Sequence, residues 1–198
     1  MRFTSACYCA LLIIVLGAGA FSAQDKAVVM RGDKKKGKVP TGYKAYSLFL
    51  IPSSDWQAKN EELRALRSAF TDFGDAIGDQ RLAVWFSNED DTKLDVNRSK
   101  SYCDRLGLSY NDGPFVVTTM SHPDAVKKED QAVVIKLAGI SITRAISILN
   151  ILEQDLRTER QIRSRSLLFE EVKQRLMTAK DRHGPELKDL ATILLKLK

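Results

Sequence analysis

Thiol and imidazole chemistry in this chain rests on three cysteines, Cys7, Cys9 and Cys103, and two histidines, His122 and His183. Cys7 and Cys9 stand in an apolar N-terminal run, which leaves Cys103 as the one thiol of the main body. A lone thiol can react or sense, join a second chain through a disulfide, or pack as a small apolar side chain. Cys103 lies beside Tyr102 and three residues before Leu106, on the core side of a short helix, which favours packing. The histidines are far apart, and neither has the cysteine or carboxylate spacing of a metal site. No metal and no cofactor is therefore expected. Glu89, Asp90 and Asp91 read as a solvated loop, with weak cation binding the lesser account. Asn97-Arg98-Ser99 fits the glycosylation triplet, but Asn97 reads better as a helix cap. Arg31-Gly32-Asp33, a tripeptide that some adhesion receptors read, belongs to a solvated linker.

The elements that must hold these groups follow from hydrophobic spacing. "AYSLFLI" at 45–51 and "RLAVWFS" at 81–87 are apolar, aromatic runs of strand length. Between them, Leu63, Leu66, Phe70, Phe73 and Ile77 recur at intervals of three and four, the stripe of an amphipathic helix ended by Gly78. Ser54 and Gln57 have the spacing of a capping box at its start. A shorter helix follows near Val96–Leu106, stopped by Gly107. "FVVTTM" at 115–120 and "AVVIKLA" at 132–138 are two further strands, and Ser141 caps a helix with Ala145, Leu149, Leu152 and Leu156 on one face. The order is β-α-β-α-β-β-α. After Leu156 the chain is charged; Leu168, Val172, Leu176 and Ala179 then line a helix ended by Gly184, and Pro185 opens a last helix carrying Leu187, Leu190, Leu194 and Leu197.

One residue breaks the strand pattern. Proline gives no N–H to a sheet and is confined to edges, bulges and first residues, yet Pro114 stands at the mouth of "FVVTT". With that proline, the element order and the stretch "LDVNRSKSYCDRLGLSYNDGPFVVTT" resemble the thioredoxin-fold superfamily over about residues 43–156, with Gly139 as a further match. The fold class this implies is α/β: a thioredoxin-like β-α-β-α-β-β-α three-layer sandwich with a C-terminal helical extension. In that family the loop after the first strand carries a Cys-x-x-Cys pair at a helix N-terminus, where the helix dipole favours thiolate. Here that loop is "IPSSDWQAK", with no cysteine and so no nucleophile for disulfide exchange. The resemblance thus implies a fold and a cis-proline at 114, without the redox activity.

What the resemblance leaves is the peptide-binding side. It sets Ser54, Asp55 and Trp56 opposite Pro114, with Trp56 able to bury a large area against a partner. It also sends His122 out of its strand at the end away from Pro114, which argues against a hydrolase pairing Ser53 or Ser54 with His122. The expected role is a non-redox protein- or peptide-binding or scaffold module. The alternative is a single-thiol redox or sensor protein, or a related enzyme, acting through Cys103.

The ends of the chain bear on where it works. Arg2, an apolar run and Ala18-Gly19-Ala20 form the pattern of a secretory signal cleaved after Ala20, or after Ala23. The run is shorter than the roughly 17–25 residues that span a bilayer, and no lipoprotein cysteine follows it. The expected organisation is a signal peptide at 1–20, a flexible basic leader at 21–42, a thioredoxin-like domain at 43–156 and a helical extension at 157–198. Export points to the periplasm or the extracellular space, where a mature chain with Cys103 alone holds no internal disulfide. The formal net charge of +6, gathered in "RGDKKKGK" and in Arg157–Arg182, suits another protein or a weak contact with an anionic membrane surface. Phe169 is the single aromatic residue among those charges, so nucleic acid is not the expected partner.

Overall fold

Apolar side chains that alternate with the pleat of a strand can feed two cores at once, and the two central strands of this protein do so. The computed structural model describes residues 27–31, 38–77, 80–87, 93–160 and 192–196, with helical residues at 174, 178, 181 and 182. Its elements are β1 (Ala27–Arg31), β2 (Ala45–Leu50), α1 (Asn60–Ala76), β3 (Arg81–Ser87), α2 (Val96–Leu106), β4 (Phe115–Thr119), β5 (Ala132–Lys136), α3 (Ile142–Arg160) and β6 (Thr192–Lys196). They form an α/β fold around one mixed sheet in the order β1-β3-β2-β4-β5-β6. β3 is parallel to β1 and β2, while β4 is antiparallel to both β2 and β5. Leu48 of β2 stands level with Val84 on one side and Val117 on the other.

Every residue of β2 and β3 is buried. Phe49, Ala83, Trp85, Val116, Val133 and Ile135 meet α1 through Leu66, Phe70 and Phe73, and α3 through Ala145, Leu149 and Leu152. Phe49 stacks on Trp85 at 4.9 Å between ring centroids. From the opposite face Leu48, Leu50, Val84, Phe86, Val117 and Val134 meet Tyr102, Cys103 and Leu106 of α2. Helices therefore cover both faces of the sheet. No described helix is long and apolar enough to cross a membrane.

Several local expectations need correction. The stretch 21–42 was expected to be leader, but Ala27–Arg31 within it pairs with β3 in parallel, and Val39 is buried in the α2-side core. A short β-branched run gains its partner from the sheet edge, a gain that the neighbouring lysines hide in the sequence. The last helix was expected to run through Leu190, Leu194 and Leu197, yet Thr192–Lys196 is a strand antiparallel to β5, with Leu194 opposite Val134. The leucine spacing suits either structure, and the open edge of β5 decides. Ser54 and Gln57 form no capping box: they close a turn in which Gln57 N donates to Ser54 O, and α1 starts at Asn60 after Lys59, which gives no side-chain cap. The cap of α2 is Asp95, whose carboxylate accepts from Arg98 N, so Asn97 already lies inside the helix. Gly107 does stop α2, at φ 61°, and Ser141 Oγ does accept from Arg144 N at the start of α3. The signal peptide, Gly78, Gly184 and Pro185 lie outside the described residues.

Candidate functional site at the loop end of the sheet

Three connections meet where β2 and β3 end and β4 begins. The first, after β2, starts with buried Ile51 and Pro52 and then turns out to solvent. Ser53 Oγ accepts from Asp55 N at 3.1 Å, which folds the tip so that Ser54 and Asp55 are exposed. Trp56 comes back half-buried against the core under α1 and α3. Gln57 Oε1 accepts from Leu94 N at 2.8 Å and so joins this loop to the second connection, between β3 and α2. Leu94 is itself held to the end of β3 by a bridge to Ser87.

The third connection is the turn Tyr110–Asp112 leading to β4. Gly113 N donates to Tyr110 O, and the Gly113–Pro114 peptide is cis. Gly113 lies flat against the first loop: a Cβ built there would stand 2.6 Å from Pro52 Cγ and 2.9 Å from a ring carbon of Phe115. Only a residue without a side chain lets the two loops close this far. Pro114 is buried, and its carbonyl accepts from Leu137 N at 2.8 Å, which continues the β4–β5 pairing past the proline. Lys136 Nζ reaches Asp112 Oδ2 at 2.7 Å and braces the turn from β5. Tyr110 is exposed; its hydroxyl donates to Asp104, which raises the phenol above its ordinary range, and Lys100 lies over the ring.

Ser54, Asp55 and Trp56 thus share one loop, and that loop touches the residue before Pro114 through Pro52. Ser54 and Asp55 present polar groups to solvent, Trp56 an aromatic flank, and Pro114 acts from within as a support. Sequence reasoning missed Pro52, the Gln57–Leu94 tie and the Asp112–Lys136 pair. Gly113 beside a proline was the one available signal for the first; the other two join residues remote in sequence and leave no periodic trace.

Cys103 stands apart from this end. Its side chain is fully buried under α2, and burial, helped by the Asp104 charge, pushes the thiol up to about 12. A neutral, enclosed thiol has neither the charge nor the access that exchange or sensing requires. His122 lies beyond the far end of β4, where it meets Val39 and Tyr46, so neither Ser53 nor Ser54 is brought to it. His183 and the run Glu89, Asp90 and Asp91 lie outside the described residues, and among the described residues no group of acidic, histidine or cysteine side chains has metal-binding geometry. Comparison of the chain with protein-family models, with curated proteins and with solved structures finds no match in any of the three.

Proposed function

We propose that this chain is a non-redox member of the thioredoxin-like superfamily that binds another protein or a peptide at the loop end of its sheet. The strand order β1-β3-β2-β4-β5, with β4 reversed and Pro114 at its mouth, supports the layout that the sequence resembles. In place of a thiol pair, the loop after β2 carries Ser53, Ser54, Asp55 and Trp56, so the site offers hydrogen-bonding and aromatic surface and no electron transfer. One observation carries the binding role: an exposed Ser54–Asp55 tip and a half-buried tryptophan on a loop braced from three sides, by Pro52 on Gly113, by Gln57 on Leu94 and by Trp56 on the core. Rigid loops lose little freedom on binding, and tryptophan is among the side chains that contribute most at an interface. The reading includes export and a partner outside the cytoplasm, with the basic charge favouring acidic surfaces.

A photo-reactive side chain placed at Ser54 should crosslink a partner in extracts of the source cell, whereas one at exposed Ser147 on α3 should not. Asp55→Ala and Trp56→Ala, each checked for native circular dichroism, should weaken capture. Equal crosslinking from both positions, or full capture by both variants, would count against the site. The protein should also leave insulin disulfides intact in the presence of dithiothreitol at a concentration that alone is inactive; turnover there would sink the non-redox reading.

A further inference from the structure

Along α1, beside the stripe that packs into the core, four polar residues share one flank. Arg64, Arg67, Ser68 and Thr71 stand at i, i+3, i+4 and i+7, the spacing that sets side chains together on one side of a helix. The surface between them is hollowed, and the four line a cleft of about 250 Å³. Arg67 and Thr71 are half-buried in it, while Arg64 and Ser68 are exposed. Leu63, Leu66 and Phe70 of the same helix face the core and leave this flank to polar groups.

The lining decides what such a cleft can hold. Thr71 Oγ1 donates to Arg67 O at 2.9 Å, so its proton is already committed within the helix, and the donors that remain are two guanidinium groups and the Ser68 hydroxyl. Among the described residues no carboxylate lines the cleft. The nearby Glu62 is turned to Lys59 at 3.4 Å, and among the described residues Arg64 has no ion pair and the Ser68 hydroxyl no acceptor. Arg67 keeps a further contact of its own and adds its charge to the wall. A guanidinium stays charged at any ordinary pH, and its planar fork matches pairs of oxygens on a carboxylate or phosphate. Two forks one helical turn apart, with a hydroxyl beside them, suit the three terminal oxygens and the near-double charge of a phosphate better than the two oxygens of a carboxylate. The space is smaller than the roughly 300–1,000 Å³ of pockets that enclose drug-sized ligands, so it fits a phosphate group and little of what carries it.

We propose that this flank of α1 binds a phosphate monoester, held by Arg64 and Ser68 with Arg67 adding charge. The phosphate sits among the donors, and the rest of the ligand stays in solvent. Small soluble esters and phosphatidic acid at a membrane surface carry the same group, and the cleft recognises what they share. The site lies on the helix and outside the loop end of the sheet, so it is independent of the binding role proposed above.

The test uses the full chain. Glycerol 3-phosphate should shift the amide resonances of 64–71 along a saturable curve, and chloride at the same ionic strength should not. Arg64→Gln should weaken that binding about tenfold, the loss of one charge-assisted pairing, and Ser68→Ala about threefold. Both residues are exposed, so both variants should keep the native circular dichroism; if either does not fold, the wild-type titration decides. Vesicles of phosphatidylcholine with phosphatidic acid, set against vesicles with phosphatidylserine at equal charge, separate the sources. Sedimentation with phosphatidic acid alone, lost in Arg64→Gln, places the phosphate on a lipid headgroup, whereas saturation by the soluble ester without it places the phosphate on a small molecule. Shifts that chloride reproduces, or binding of both the ester and phosphatidic acid that Arg64→Gln leaves unchanged, would overturn the site.

Discussion

Gly113 and Cys103 show how far one atom matters in this protein. Gly113→Ala would place a methyl group 2.6 Å from Pro52 Cγ and 2.8 Å from its Cδ, both in a buried ring that cannot swing aside. The expected cost is about 1–3 kcal/mol, from overpacking alone because φ at Gly113 is an ordinary −82°. A thermal melt should show it, with loss of any binding at the Ser54–Asp55 tip beside it. Cys103 is held neutral in the fold, its thiol raised from 9.0 to about 12. The folded chain therefore keeps a proton that the unfolded chain releases, so stability is complete below about pH 9 and falls as the pH climbs toward 12. Tyr102, raised from 10.0 to about 12 by burial and by its bond to Asp124, adds to the same alkaline loss. Urea midpoints across that window should fall with pH, and more shallowly in Cys103→Ala.

The edge strands carry the element-scale lesson. β5 would be an open edge without β6, which pairs with it from Ala132↔Lys196 to Lys136↔Thr192. Removing residues 192–198 should raise amide exchange across 132–136 by about tenfold or more and promote self-association, since an uncovered edge strand templates pairing with another chain. Unchanged exchange there would mean that β6 adds nothing to the sheet. For the same reason, a deletion from Leu156 onward removes a strand of the sheet as well as helical residues. The central elements, by contrast, were legible. The apolar, aromatic runs at 45–51 and 81–87 marked β2 and β3 nearly to the residue, and the stripe from Leu63 to Ile77 marked the body of α1, because each buries enough apolar surface to outweigh local alternatives. The start of α1 was misread because Ser54 and Gln57, though rightly spaced for a cap, are drawn into a turn that Gln57 uses to reach Leu94.

For the molecule as a whole, one sheet with a core on each face should unfold as a single unit. Leu48 points to the α2 side and its neighbour Phe49 to the α1–α3 side. Leu48→Ala should cost about 2–5 kcal/mol and Phe49→Ala about 3–5 kcal/mol. In both variants, Trp85 fluorescence and far-ultraviolet circular dichroism should report one coincident transition; separate transitions would mean that the two layers fold independently. What the sequence by itself determined are the elements with strong periodicity, the absence of a thiol in the loop after β2, and the odd position of Pro114; it favoured the burial of Cys103, which the structure shows. Tertiary structure alone decided that 27–31 and 192–196 join the sheet, that Gly113 closes on Pro52, and that His122 ties Val39 to the far end of β4. Periodicity reports how a segment buries its own face, whereas these features depend on a partner far along the chain, which local spacing does not encode.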